Sequence, residues 1–340
     1  MKKILPIEEI PPITSYSGMA IIFSILWAHK SELLPWLSDH YIQLIASHNT
    51  IDWFVNFCEG INNNGISSAL YCPLLEVQNI NKKAIDKFVD NFAEFIENQI
   101  DNDFYVSTWL NHFYLSCSQY YSQADFMHIA FINGYDKDKN EIMLSDFFNN
   151  ERFNSKIVSY DEINRSYLRD HFRPNEHKKF YAIYLYKYVE ANYKINMDLL
   201  RLSLSDYLES KDSFLRFNST DDRQMQYGLG VYDSIIEHCM MRQEKTSLLD
   251  TRAFHVLADH KVAMKFRLEY LIENELISKQ KCDSIYQQCG VLRDQSIVLR
   301  NKVIKYNIKK DEELLCDIVN KCLDLKKADR EQMISIYESI

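Results

Sequence analysis

The spacing of apolar and polar positions predicts mainly helices in the first part of the chain. A strongly apolar run over 18–34 predicts a helix, and a short second helix is predicted around Trp36. Apolar residues at intervals of three and four predict another helix over 81–100. The segment 49–57 is also predicted to be helical.

The pattern changes after Asp103, where aromatic and β-branched residues predict strands. The runs FMHIAFINGYD and EIMLSDFF are joined by the polar turn YDKDKN, so they predict a β-hairpin. The run FYVSTWLNHFYLSC precedes this hairpin, and further strands are predicted in SKIVSY and FYAIYLYKYV. The polar segment FRPNEHKK separates these last two strands, and its Pro174 interrupts both periodicities.

The second half of the chain has the 3.6-residue spacing of amphipathic helices. The predicted helices cover 197–208, 231–242, 250–273, 278–306 and 311–325. The predicted fold class is therefore α+β, with one domain at 1–173 and a mainly helical C-terminal domain at 174–340.

The charge and the N-terminal pattern exclude several classes of protein. A net charge of −9 argues against a general nucleic-acid binder, because phosphate contacts require clustered Lys and Arg. The N-terminal MKKILPIEEIPP lacks the apolar core of a signal peptide. The apolar run over 19–28 is shorter than the roughly 20 residues that span a bilayer. We therefore expect a cytoplasmic protein that binds neither nucleic acid nor membrane.

The cysteines and histidines do not follow metal-binding spacings. The chain has eight cysteines without a Cys-x-x-Cys pair, which predicts free thiols. His255 and His260 are five residues apart, so they do not share one helix face as a metal pair would. The Gly-x-Gly of YGLGVYD at 227–233 lacks the third glycine of a dinucleotide site. We therefore expect no metal and no tightly bound cofactor.

Three residues in different elements suggest a catalytic triad. Ser17, in TSYSGMAIIF, is at a predicted helix N-terminus, which favours a nucleophile. His128 begins one strand of the hairpin and Asp146 ends the other, and neighbouring strands lie about 5 Å apart. Asp146 would then orient the imidazole of His128. Taken singly, each has an ordinary structural explanation, such as a helix N-cap for Ser17.

These motifs resemble a known family. YSGMAIIFSI resembles the Cys-Gly-x-Ala-x-Leu helix start of bacteriocin-processing, papain-like cysteine peptidases, with Ser17 at the Cys position. HIAFINGYDKDKNEIMLSD resembles their His-strand-Gly-Tyr-Asp-hairpin-Asp segment. The whole chain, including NHFYL at 111–115, resembles the butirosin-type acyltransferases of antibiotic biosynthesis and the amide-forming enzymes of closthioamide assembly.

The resemblance implies a papain-like catalytic domain and an acyltransferase function. An acyl group would pass from the phosphopantetheine thioester of an acyl or peptidyl carrier protein to residue 17, and then to an amine or diamine. His128 would act as the base and Asp146 would orient it, without a cofactor other than the phosphopantetheine on the partner. The alternatives are a leader-cleaving peptidase and a binding homologue without catalytic activity.

The chain departs from the family at the expected oxyanion site. Pro11 and Pro12 stand where the family carries a glutamine before the Cys. The expected substitutes are the backbone N–H groups of Ser17 and Gly18, together with Thr14 or Ser15. Aromatic residues could line an acyl pocket near His128, or form strand core: Trp109, Tyr114, Tyr120 and Tyr121.

Serine at position 17 is the larger departure, because a hydroxyl is far more basic than a thiol, whose pKa is about 8.5. Three explanations fit the sequence: an engineered Cys→Ser substitution, a natural serine nucleophile, or a degenerate site that binds without turnover. Cys117, in the predicted strand before His128, is the main rival nucleophile, and Cys72, beside Pro73, is a weaker one.

Overall fold

The computed structural model describes residues 1–47, 53–58, 72–150, 152–167, 182–213, 225–243 and 248–340. They belong to two compact units, each assembled from several segments of the chain. Unit 1 comprises Met1–Pro11, Ser17–Lys30 and Ala69–Ala191. Unit 2 comprises Pro12–Tyr16, Ser31–Ser68 and Asn192–Ile340.

The secondary structure mixes short strands with long helices. The strands are β1 (Lys2–Ile4), β2 (Leu44–Ser47), β3 (Val55–Phe57), β4 (Leu75–Asn81), β5 (Tyr105–Asn111), β6 (Met127–Asp136), β7 (Glu141–Asp146), β8 (Asn154–Ser159), β9 (Ala182–Tyr188) and β10 (Met225–Tyr227). The α-helices are α1 (Ser17–Trp27), α2 (Lys30–Leu37), α3 (Lys82–Ile85), α4 (Phe92–Asp101), α5 (Tyr160–Ser166), α6 (Met197–Leu208), α7 (Val231–Gln243), α8 (Arg252–Glu273), α9 (Lys279–Lys309) and α10 (Glu312–Tyr337).

Unit 1 is built around an antiparallel sheet with the strand order β4-β9-β5-β6-β7-β8, and β1 pairs with β6. β5 and β6 lie in the middle and are buried along most of their length, which accounts for their continuous apolar character. α1 packs against β6. Residues 19–26 of α1 are all buried, because a helix that is apolar on every side must be surrounded by protein.

A β-bulge in β6 changes which side chains share a face of this sheet. The extra residue is Asn133, since Ile132 and Gly134 pair with consecutive residues of β7. The carbonyl of Asn133 accepts the N–H of Leu5 at 2.7 Å, and its side-chain amide donates to the Leu5 carbonyl at 3.0 Å. Leu5, which directly follows β1, therefore stabilises the bulge through these two hydrogen bonds.

Unit 2 combines a small antiparallel sheet, in the order β10-β2-β3, with the long helices. α8 packs along α9, and α9 packs along α10. α10 also contacts α6 and α7, and α8 contacts β3. Many of the apolar residues that predicted α8 and α10 are buried.

The structure confirms the α+β class, the β6–β7 hairpin and the bounds of α6. The prediction of a helix over 49–57 is wrong for Val55–Phe57, which pairs with β2 as a strand. The predicted helix over 81–100 is interrupted between α3 and α4, where the Asn91 side chain caps α4. The predicted helix over 18–34 also ends early, at Trp27.

The two units differ from the predicted domains at 1–173 and 174–340. The predicted boundary itself lies outside the described residues. β9 belongs to unit 1 because it pairs with β4 and β5, whereas Ser31–Ser68 belongs to unit 2. None of the eight cysteines, all of which lie in the described residues, forms a disulfide. Among the described helices, none has both the length and the apolar character needed to cross a membrane.

Candidate functional site

Ser17 is the first residue of α1 and is half-buried. The N–H groups of Ser17 and Gly18 have no acceptor within the helix, because the first four N–H groups of any helix lack one. They also lie at the positive end of the helix dipole. α1 packs against β6. Ser17 therefore begins a helix that contacts the strand on which His128 lies.

The bulge places His128 and Asp146 on the same face of the sheet. Phe131 pairs with Ser145, so the register continues to Ala130 opposite Asp146, with His128 as the diagonal neighbour. If Asn133 were instead paired within the ladder, with Gly134 still opposite Met143, His128 would lie on the other face from Asp146. Nδ1 of His128 lies 2.7 Å and 2.9 Å from the two carboxylate oxygens of Asp146.

The charges of this pair support each other. Burial alone would lower the pKa of His128, but the hydrogen bond to Asp146 and its charge outweigh burial and raise that pKa above its ordinary value. Burial would raise the pKa of Asp146, but hydrogen bonds from His112 and His128 hold it below its ordinary value. Asp146 is therefore ionised near neutral pH, although its side chain has no exposed surface.

A second histidine shares this carboxylate, and the sequence reasoning missed it. Nε2 of His112 lies 3.0 Å from Oδ2 of Asp146, and the His112 side chain is only 2% exposed. His112 follows β5, and its N–H donates to the carbonyl of Phe126 just before β6. The sequence does show a second histidine at the end of the strand that precedes the hairpin, and this position could have identified His112.

The same three side chains could hold a metal ion, since one ligand atom from each of His112, His128 and Asp146 lies within 4.8 Å of the others. The nitrogen–oxygen distances of 2.7–3.0 Å are, however, those of hydrogen bonds. Around a tetrahedral ion with ligands at about 2.1 Å, neighbouring ligand atoms would be about 3.4 Å apart. The geometry therefore fits a shared, hydrogen-bonded carboxylate better than a metal centre.

Thr14 and Ser15 use their backbone N–H groups elsewhere. Both donate to Oδ2 of Asp259 in α8, at 2.8 Å and 2.7 Å, within unit 2. Neither N–H is therefore available to bind an oxyanion, which leaves Ser17 and Gly18 as the expected donors.

The candidate aromatic residues divide into two groups. The Trp109 ring meets the His128 ring edge-on, with centroids 6.3 Å apart. Tyr120 stacks on Phe126, which in turn stacks on His128 at 5.6 Å. Tyr114 instead lies under the Arg165 guanidinium, 5.0 Å from its ring, and Tyr121 is exposed. Trp109 and Tyr120 are thus the better placed of the four.

The rival cysteines are poor nucleophiles. Cys117 lies in a turn after β5, not in a strand as predicted. Burial, together with the charges of Glu162 and Asp146, raises its pKa to about 11. Burial raises the pKa of Cys72 to about 12. Both thiols therefore stay protonated at neutral pH.

Neither a family model nor a curated protein sequence matches this chain.

Proposed function

We propose that this protein is an amide-forming acyltransferase on a papain-like fold, which moves an acyl chain from a carrier-protein thioester through residue 17 to an amine or diamine. The observation that carries the proposal is the His128–Asp146 pair, in which Nδ1 is held by a fully buried carboxylate. A buried helix that starts at Ser17 and packs on the strand of His128 supports the papain-like arrangement.

The chemistry follows from the tautomer of His128. With Nδ1–H donated to Asp146, Nε2 is free to accept the proton of residue 17 as its oxygen or sulfur attacks the thioester carbonyl. The N–H groups of Ser17 and Gly18 stabilise the oxyanion. The intermediate expels the phosphopantetheine thiolate, which takes the proton from Nε2 and leaves an acyl-enzyme. The amine then attacks, Nε2 takes its proton, and that proton returns to residue 17 as it departs.

The charge state of the pair favours a thiol at position 17 over a hydroxyl. A histidine with a raised pKa is readily protonated, and an imidazolium stabilises a neighbouring thiolate at neutral pH. A serine cannot ionise in this way and needs proton removal during the attack. We therefore expect Ser17→Cys to accept acyl groups faster than the serine protein, whichever origin the serine has.

Intact-protein mass spectrometry with a short-chain acyl thioester of pantetheine tests the proposal. We expect the Ser17→Cys variant to gain one acyl mass and to release it as an amide when a diamine is added. His128→Ala in the same background should prevent acylation, and Cys117→Ala should leave it unchanged. If Ser17→Cys stays unacylated while its circular dichroism matches the serine protein, the proposal is wrong.

Further arms of the same experiment separate the alternatives. A binding homologue, which the serine at position 17 favours, would retain the thioester without covalent gain of mass. A leader peptidase would cleave a Gly-Gly peptide and give no amide. A metal enzyme would lose activity with a chelator and regain it with zinc, whereas we expect chelation to have no effect on acylation.

A further inference from the structure

His112 has hydrogen-bond partners at both ring nitrogens. Nε2 faces Oδ2 of Asp146 at 3.0 Å, and Nδ1 lies 3.1 Å from the hydroxyl oxygen of Ser118. That hydroxyl oxygen also accepts the N–H of Tyr120 at 3.2 Å. Ser118 and Asp146 are both buried, so these bonds are not exchanged with solvent.

We propose that His112 is a positioning residue. Its ring is a neutral imidazole, and its Nε2–H holds the Asp146 carboxylate in the orientation that accepts the hydrogen bond from Nδ1 of His128. This inference rests on the proposed function of the same site, since it assigns a role toward His128.

The contacts around His112 determine its tautomer. An ionised carboxylate can only accept hydrogen bonds, so Nε2 of His112 must carry a proton. The Ser118 hydroxyl already accepts one N–H and has its own proton to donate, and Nδ1 of His112 is the acceptor within reach. The ring therefore needs only one proton, and a second would place another charge in a site that is 2% exposed.

Three donors together satisfy Asp146. Oδ1 accepts from Nδ1 of His128 and from the N–H of Phe147 at 2.7 Å, and Oδ2 accepts from His112. Among the described residues, the ionisable neighbours of Asp146 include His112, His128 and Cys117, and burial keeps Cys117 protonated. His128 and His112 thus compete for the electron density of one carboxylate.

Sharing the carboxylate limits the basicity of His128. A donor to Oδ2 stabilises the negative charge of Asp146, which weakens its attraction for the proton on His128. If His112 is removed, Asp146 becomes a stronger acceptor for His128 alone. The expected result is a rise in the pKa of His128.

Nitrogen-15 NMR of the histidine rings tests this in the resting protein without substrate. We expect His112 to be a neutral Nε2–H tautomer at pH 7 and His128 to carry its proton on Nδ1. In His112→Phe the pKa of His128 should rise by about one unit, the size expected for one lost hydrogen bond to a charged group. His112→Gln, whose amide can donate to Asp146 from a similar position, should restore most of the original pKa.

Several outcomes would overturn the assignment. A doubly protonated or Nδ1–H His112 would do so, as would an unchanged pKa of His128 in His112→Phe. If His112→Gln behaved like His112→Phe, the role of His112 would be packing alone. Should His112→Phe fail to fold, the tautomer of His112 in the unaltered protein still decides.

Activity provides an independent readout. In the Ser17→Cys background, the midpoint of the pH profile for acylation should move upward in His112→Phe by the same amount as the pKa of His128. Because the NMR result does not need substrate, the expected tautomers without any acylation would leave the His112 assignment standing and reject the acyltransferase. Acylation together with a different tautomer of His112 would support the acyltransferase and reject the His112 assignment.

Discussion

Two fully buried carboxylates, one in each unit, are neutralised in different ways. In unit 1, Asp146 is shared by two imidazoles, and the side chain of His128 remains 26% exposed. In unit 2, Asp329 forms an ion pair with Lys261, and neither side chain has exposed surface. The hydroxyls of Tyr207 and Tyr232 also donate to Asp329, each at 2.7 Å.

The difference separates a site that can do chemistry from one that holds the fold together. A buried carboxylate that pairs with a partly exposed histidine can pass a proton to solvent or substrate near neutral pH. Burial raises the pKa of Tyr207 well above its ordinary value, and the charge of Asp329 adds to this shift, so the hydroxyl stays protonated. We therefore infer that the Asp329 network is structural, although it is the more deeply buried of the two.

The largest expected effect comes from exchanging the carboxylates for amides. In the Ser17→Cys background, Asp146→Asn should lower the rate of acylation by about 10³- to 10⁴-fold, because an amide does not hold His128 in its Nδ1–H tautomer. Asp329→Asn is the matched control and should leave the rate per folded molecule unchanged. Intact-protein mass over time measures both rates. An equal reduction of acylation in the two variants would contradict the distinction between Asp146 and Asp329.

The next effect concerns stability. Lys261→Met should lower the free energy of unfolding by about 3–5 kcal/mol, because it leaves the charge of Asp329 buried without a cation. His128→Gln should cost far less, since His128 is partly exposed and glutamine can still donate to Asp146. Urea denaturation of the two variants measures both losses. Equal losses would remove the distinction between the two carboxylates.

A third buried carboxylate, Asp259, accepts two backbone N–H groups and extends this contrast. Burial raises the pKa of Asp259 to about 7, although the hydrogen bonds from the N–H groups of Thr14 and Ser15 lower it. Nε2 of His255 lies 3.6 Å from its carboxylate. Because the folded state binds this proton more tightly than the unfolded state, the free energy of unfolding should fall by about 2–4 kcal/mol between pH 4 and 7.

Asp259→Asn tests this, since asparagine keeps an oxygen for both N–H groups but has no charge to bury. The fall in stability over this pH range should largely disappear in denaturation measured at several pH values. If the unfolding free energy of Asp259→Asn still fell as steeply with pH, groups other than Asp259 would cause the fall.

The smallest effect is the pH dependence contributed by His128. Its pKa is raised on folding, so its stabilisation is complete below about pH 6.5 and is lost as the pH rises through the folded value. His128→Gln should flatten the decline in unfolding free energy above pH 6.5. An equally steep decline in His128→Gln would contradict this assignment.

The sequence allowed much of the candidate site to be predicted. The alternation around the polar turn located the β6–β7 hairpin, and the hairpin brought His128 to Asp146. The prediction failed where a contact beyond the immediate neighbours decides the structure, as for Val55–Phe57, which becomes a strand only because it pairs with β2. His112 was missed for the same reason, since its contact with Asp146 spans 34 residues.

Local sequence is sufficient to specify the individual elements, because apolar periodicity and turn residues act over a few neighbouring positions. It specified the buried helix that starts at Ser17 and the hairpin that carries His128 and Asp146. Long-range contacts make Asn133 an extra residue, bonded to Leu5, and so place His128 and Asp146 on the same face. The contact that holds the bulge comes from Leu5, 128 residues away along the chain, and one residue in register reverses every side chain beyond it.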